Sequence, residues 1–229
     1  MSPERHARPR ILNPTVRLGD LPAFLRRHLG GALKTEREFE RMEAYLSHLV
    51  RWNQKINLTG AKTLEELAQR HVAESLAALP LLPVGPLAAA DVGSGAGLPG
   101  IPLKIARPDI HLFLVERQHK KAVFLRQAVL EAGLEHAEVV EEPWESWSTS
   151  GKAPHLDCVV SRAALDLSLL LDGALRLLRP GGRILLFLGR DKAQALANGR
   201  ISGTAMLWKG EMLLPGSERR YLVHLEIPA

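Results

Sequence analysis

The stretch Ala88-Ala89-Ala90-Asp91-Val92, running straight into Gly93-Ser94-Gly95-Ala96-Gly97-Leu98-Pro99-Gly100, constrains the fold more than any other part of the chain. An apolar strand that ends on four glycines in eight residues has to turn sharply, because only glycine takes positive φ without a steric cost and lets a ligand come close to the backbone. The helix that opens behind such a turn offers unpaired N–H groups to an anionic group.

The rest of the chain repeats this strand-then-helix rhythm. Short apolar runs at Leu87 to Val92, Ile110 to Val115, Ala137 to Val140, Leu156 to Val160 and Arg183 to Leu188 alternate with helical segments. The clearest are Lys120 to Ala132, ending at Gly133, and Leu165 to Leu178, ending before Pro180-Gly181-Gly182. Alternation of this kind predicts a parallel sheet with crossover helices. Met206 to Leu214 and Tyr221 to Ile227 flank Pro215-Gly216-Ser217 and predict an antiparallel hairpin at one edge. The chain before Leu87 reads as helical: Thr35 with Glu38 makes a capping box ahead of Phe39, Met42, Leu46 and Leu49, and Thr63 with Glu66 opens a second helix carrying Leu67, His71 and Leu76. The expected organisation is a basic arm with a possible short helix over 1–34, a helical extension over 35–86 and an α/β core over 87–229, the last two forming one compact unit.

At 229 residues and 46% hydrophobic, the chain is long enough for one well-buried core. The single Cys158 excludes an intrachain disulfide and a thiolate metal cluster, and fits a reducing cytoplasm. No metal is expected. No apolar segment is long enough for a membrane span, since Pro80, Pro83 and Pro86 interrupt the most apolar one. The formal charge of +5, with Arg5, Arg8 and Arg10 near the start, favours encounter with a polyanion.

Two cofactor classes meet the glycine turn. Gly95, Gly97 and Gly100 satisfy the G-x-G-x-x-G of dinucleotide enzymes, and Glu116, 23 residues beyond Gly93, would reach the hydroxyls of an adenosine ribose in either class. Three details separate them. Asp91 gives the turn a D-x-G-x-G-x-G form that resembles class I methyltransferases; its carboxylate favours a cationic methionine end and repels a pyrophosphate. Pro180-Gly181-Gly182-Arg183 resembles the turn before the fifth strand of that fold, and the terminal hairpin would complete its seven-stranded, Rossmann-like sheet. S-adenosylmethionine is therefore preferred to NAD.

The runs Trp52 to Thr59, Arg70 to Leu76, Asp91 to Pro102 and Ser161-Arg162-Ala163 resemble, in the same order, those of the RsmG family, also called glucose-inhibited division protein B, and the resemblance extends from about Glu36 to Val223. It implies methyl transfer from S-adenosylmethionine to N7 of guanine 527 in 16S ribosomal RNA, with the 30S subunit or its precursor as partner, by a cytoplasmic protein expected to be a monomer. Carried over residue by residue, the family's cofactor contacts fall on Gly93, Leu98, Trp144, Glu145 and Arg162. With the motif residues Asp91, Gly95, Gly97 and Glu116 they make up the expected cofactor site.

Guanine N7 carries a free lone pair, so no general base is required; Asn57, His71 and Arg162 are expected to position rather than deprotonate. Arg51, Lys55, Lys120, Lys121, Arg126 and Arg190 are the expected RNA contacts. Departures from the family pattern are Glu74 in place of Asp, Trp144 in place of a small aliphatic, and Leu188-Gly189-Arg190 in place of Leu-Lys-Gly. Three alternatives stay open on the residues alone: a methyltransferase of the same fold acting on a protein or small molecule, a non-catalytic RNA-binding relative, and a dinucleotide oxidoreductase.

Overall fold

The structure, a computed structural model, describes residues 20–162, 166–199 and 206–228. Arg5, Arg8, Arg10, Ala163 and the expected helix start at Leu165 lie outside them. Seven strands form one sheet: β1 (Leu87–Val92), β2 (Ile110–Val115), β3 (Ala137–Val140), β4 (Leu156–Ser161), β5 (Leu178–Gly189), β6 (Leu207–Leu213) and β7 (Arg220–Glu226). Their order is β3-β2-β1-β4-β5-β7-β6, parallel from β3 to β5, with β7 antiparallel to both β5 and β6. The expected hairpin is present, and β7 inserts between β5 and β6.

Period-two alternation divides the apolar residues of each strand between two cores. Leu112 and Leu114 of β2 join one core, and Phe113 and Val115 the other. The first core is covered by α1 (Leu21–Leu29), α2 (Glu36–Asn53), α3 (Leu64–Glu66), a π-helical turn (Leu67–Val72), α4 (Ala73–Leu76), α5 (Gly100–Ala106) and α6 (His119–Glu131). The N-terminal helices thus share a continuous core with the sheet. The second is covered by α7 (Trp144–Thr149), α8 (Leu167–Leu177) and α9 (Arg190–Ala197).

Local chemistry accounts for the element ends. Thr35 accepts from the Glu38 N–H at 3.3 Å while Glu38 accepts from the Thr35 N–H at 3.3 Å, completing the capping box. Thr63 caps α3 through the Glu66 N–H at 3.0 Å. The π-helical turn, which apolar spacing does not signal, follows directly. At β5 the Pro-Gly-Gly turn is not outside the strand: Leu178 pairs with Leu156 and Arg183 with Cys158, so the residues between them bulge out of the ladder. Gly181 at φ 75° makes this possible, and its N–H is held by the Ile227 carbonyl at 3.1 Å.

Trp144 explains a glycine that would otherwise weaken a helix. Its indole is 2% exposed, donates to the Leu170 carbonyl at 3.2 Å and lies where a Cβ on Gly173 would fall, 2.3 Å from Nε1. Gly173→Ala should therefore destabilise the fold by about 1–3 kcal/mol through overpacking, although alanine is the better helix former. Urea unfolding midpoints would check this, and the double variant Trp144→Leu/Gly173→Ala should be less than additive.

Candidate functional site

Parallel strands expose their carboxyl ends along one edge of a sheet, and the segments after β1, β2 and β3 meet there. Gly93, Gly95 and Gly97 have φ of 72°, 55° and 83°, so the turn after β1 is one that residues with a Cβ rarely adopt. Two carboxylates organise it. Asp91, fully buried, accepts from the Gly100 N–H through Oδ2 at 3.0 Å, whereas its Oδ1 has no hydrogen-bond partner among the described residues. Burial pushes the Asp91 carboxyl up to about 7, against the pull of the Gly100 N–H and the Arg162 guanidinium. Glu116, 5% exposed, accepts from the Gly95 N–H at 3.0 Å and from the Gln118 N–H at 2.8 Å. Each oxygen of Glu116 has a second lone pair available to a hydroxyl.

A cleft of about 280 Å³ opens beside this turn, lined by Gly93, Val115, Glu116, Arg117, Gln118, Lys121, Glu142, Pro143, Trp144 and Glu145. The structure thus brings Gly93, Glu116, Trp144, Glu145 and Lys121 together. Trp144 reaches the cleft from a position whose indole is buried against α8. Gly97 and Leu98 turn towards the core: Leu98 is 3% exposed, and a Cβ on Gly97 would meet Ile101 Cδ1 at 2.4 Å.

A second group of polar side chains reaches the same edge from the helices. His71 sits on the π-helical turn, and its Nδ1 is 3.0 Å from Arg162 Nη1, at the end of β4. Burial, then Arg162, Arg70 and Arg220, hold the imidazole down at about 4. The ring is therefore neutral near pH 7, so Nδ1 accepts and the remaining proton is on Nε2. Burial also draws the Arg162 guanidinium below its usual value, while Tyr45, Glu74 and Asp91 act the other way. Glu74, fully buried on α4, forms an ion pair with Arg220 on β7, whose Nη1 donates to Oε2 at 2.7 Å. The Tyr45 hydroxyl, buried on α2, donates to the Ala96 carbonyl at 2.7 Å and ties that helix to the glycine turn.

Tyr45 and Arg220 were not legible as site residues: the first reads as part of an apolar helix stripe and the second as one of three consecutive charges ahead of the last strand. Asn57 is exposed on the loop after α2, which the buried Asn53 shapes by accepting from the Leu58 and Thr59 N–H groups at 3.0 Å. Of the expected RNA contacts beyond Lys121, Lys120 is exposed on the first turn of α6, and the Lys55 ammonium lies 5.8 Å from the Trp52 ring. Arg51 is 4.0 Å from Glu131, Arg126 is paired with Glu141, and Arg190 donates to the Glu218 carbonyl at 2.7 Å. None of these five lines the cleft.

No group of three or more potential metal ligands occurs among the described residues, and no described helix is long and apolar enough to cross a membrane.

The strand order, the antiparallel seventh strand and a glycine turn between two buried carboxylates define a class I S-adenosylmethionine-dependent methyltransferase. Solved structures of that class share the fold: a SAM-dependent methyltransferase from Aquifex aeolicus (TM-score 0.56, 13% identity, 71% of this chain and 93% of that one) and TrmN from Thermus thermophilus (TM-score 0.55, 21% identity, 67% of this chain and 48% of that one). Residues 38–212 match the family model described as rRNA small subunit methyltransferase G, and the chain belongs to that family. Relatives named Ribosomal RNA small subunit methyltransferase G include those of Nitrosospira multiformis (43% identity, 69% of this chain and 68% of the relative), Rhodospirillum centenum (39%, 80% and 82%) and Pelotomaculum thermopropionicum (36%, 86% and 80%).

The residues present suit S-adenosylmethionine: a buried acid with an unpartnered oxygen, a glycine turn and a carboxylate at the end of β2. Asp91 ionises near 3.8 when unfolded and near 7 in the fold, so it contributes stability at low pH that is lost as pH rises through that interval. Ligand-free protein should accordingly lose more stability between pH 5 and pH 8 than the Asp91→Asn variant does, by an amount on the order of a few kcal/mol. Denaturant midpoints of the two proteins at both pH values would check this.

Proposed function

We propose that this chain transfers the methyl group of S-adenosylmethionine to N7 of guanine 527 in 16S ribosomal RNA, acting as a cytoplasmic monomer on the 30S subunit or its precursor. The observation that carries this reading is the neutral His71 bonded to Arg162 beside the glycine turn, in a chain that belongs to the small subunit methyltransferase G family. Residues 87–229 would form the cofactor-binding core, 35–86 a helical extension that completes the site, and 1–34 a basic arm.

When bound, S-adenosylmethionine supplies an electrophilic methyl on a sulfonium. Glu116 is suited to accept from the ribose hydroxyls, and Gly93 to let the ligand approach the backbone. Asp91 favours the cationic methionine end. Trp144 and Glu145 line the far wall, and Gly95, Gly97 and Leu98 keep the turn in shape. The nucleophile is a neutral lone pair, so the chain has to orient rather than deprotonate, and alignment of this kind supplies roughly 7–11 kcal/mol of barrier lowering. Arg162, fixed by His71 Nδ1, and the Nε2–H of His71 are donors of constant protonation state above about pH 5, which suits them to hold the guanine edge or an adjoining phosphate; Asn57 would contribute from the loop after α2. Lys120, Lys121 and Lys55 are favoured phosphate contacts, since Arg126, Arg51 and Arg190 already have protein partners.

Labelled methyl from S-adenosylmethionine should appear at N7 of guanine 527 on 30S subunits lacking that modification, and Gly93→Asp should abolish it. Tight cofactor binding with no label in ribosomal RNA would overturn the assignment. His71→Phe removes the acceptor for a largely buried guanidinium and should lower kcat/KM for RNA about 10- to 100-fold, the value of one charged hydrogen bond, with cofactor affinity little changed. His71→Asn, which restores an acceptor, should recover much of the loss in the same assay.

A further inference from the structure

At the edge of the sheet opposite the glycine turn, where β2 and β3 begin, a cavity of about 120 Å³ is lined by Arg37, Arg41, Lys104, Pro108, Glu135 and His136. Three separate parts of the chain bring basic groups to it. Arg37 and Arg41 lie one helical turn apart on α2, Lys104 comes from the last turn of α5, and His136 stands before β3 in a left-handed conformation (φ 52°). The His136 carbonyl accepts from the Leu112 N–H at 2.9 Å, which fixes that backbone against β2.

What sets this cavity apart is that its unpaired cations converge on a buried ammonium. Arg26, Arg107, Arg126, Arg179 and Arg220 each pair with a carboxylate. Arg37, Arg41 and Lys104 form no ion pair among the described residues. Lys104 is 2% exposed, and its ammonium donates to the carbonyls of Pro108 at 2.8 Å and Ile110 at 2.5 Å, which leaves one N–H of three. Arg41 donates to the Gly133 carbonyl at 2.8 Å through Nη2, and the rest of its guanidinium is not engaged. Burial and the neighbouring Arg41 both hold the Lys104 ammonium below its usual value, with Asp109 and Glu135 acting against them. Glu135 is the one acid in the lining, so the cavity keeps an excess of two positive charges even with His136 neutral. Lys104 is buried while Arg41 is half-buried and Arg37 exposed, so the cost of desolvating the Lys104 ammonium beside Arg41 is one that an anion bound between them offsets.

We propose that this cavity is a binding site for a phosphoryl group. The forked guanidinium donors of Arg37 and Arg41 and the spare Lys104 N–H match the several acceptor oxygens of a phosphate. The volume lies well below the roughly 300 Å³ at which pockets begin to enclose whole organic ligands, so the group is either a small free anion or one phosphate displayed by a polymer. The six residues of β2 separate it by about 20 Å from the cleft. A phosphodiester held here would anchor the RNA substrate away from the reacting base. That use rests on the proposed RNA reaction; the anion site itself does not.

The test uses the full chain and inorganic phosphate, followed through the ring resonances of His136, assigned with His136→Gln, at constant ionic strength with sulfate-free chloride as control. Saturable shifts at millimolar phosphate that Arg37→Gln weakens severalfold support the site. No phosphate-specific shift up to tens of millimolar overturns it. Salt dependence of 30S binding then separates the two sources. A slope of log affinity against log salt that is smaller by about one in Arg37→Gln assigns the site to an RNA phosphate, while an unchanged slope with phosphate still bound overturns that use and assigns a free anion. Absence of methyl transfer with phosphate binding intact would remove the proposed reaction and leave the anion site standing.

Discussion

The buried carboxylate of Asp91 is the constraint around which the site is built. It ends β1 inside the core, takes the first N–H of α5 from Gly100 and leaves its second oxygen without a partner among the described residues. The contact requires glycine at position 100, where a Cβ would lie 2.7 Å from Oδ2. A dry carboxylate is costly to the folded protein, and that cost is what pushes its pKa up to about 7. A cationic ligand would relieve it, so in the proposed site the group that sets the geometry of the turn would also tune cofactor affinity.

Around this group the N-terminal helices are part of the site. Tyr45 holds α2 to the glycine turn, Glu74 holds α4 to β7 through Arg220, and the π-helical turn between α3 and α4 delivers His71 to Arg162. An extra residue in a helical turn rotates the downstream side chains about the axis, and such turns recur where a side chain has to be aimed. Arg162 and Arg220 face two buried carboxyls, Asp91 and Glu74, whose pKa values burial pushes up and the arginines pull down, while the neutral imidazole of His71 adds no further positive charge.

Much of the fold was legible. The boundaries of β1, β2 and β3 come directly from apolar runs, and both helix caps from Thr-x-x-Glu spacing, because these signals are local and each is set by a few neighbouring side chains. The short α7 and α9 were not, since Trp144 to Thr149 and Arg190 to Ala197 lack the length over which a helical period declares itself. The Pro-Gly-Gly segment reads as a loop, yet it is a bulge inside β5, because the neighbouring strand β7 supplies hydrogen bonds on its far side. For the site, Gly93, Glu116 and Asp91 could be named from motif spacing. Arg220 could not, because its meaning depends on Glu74, 146 residues away in the chain.

The sequence by itself determined the parallel strand–helix rhythm, the glycine turn, the acid that precedes it and the family to which the chain belongs, since each is written in residues close together. Tertiary structure decided which charges are paired and which are left over. It set His71 against Arg162, turned Leu98 and the Trp144 indole into the core, and gathered Arg37, Arg41 and Lys104 at the far edge without a carboxylate for each. The physical reason is that burial and Coulomb interaction depend on distance through space, and a linear pattern fixes that distance only for neighbours along a helix or strand.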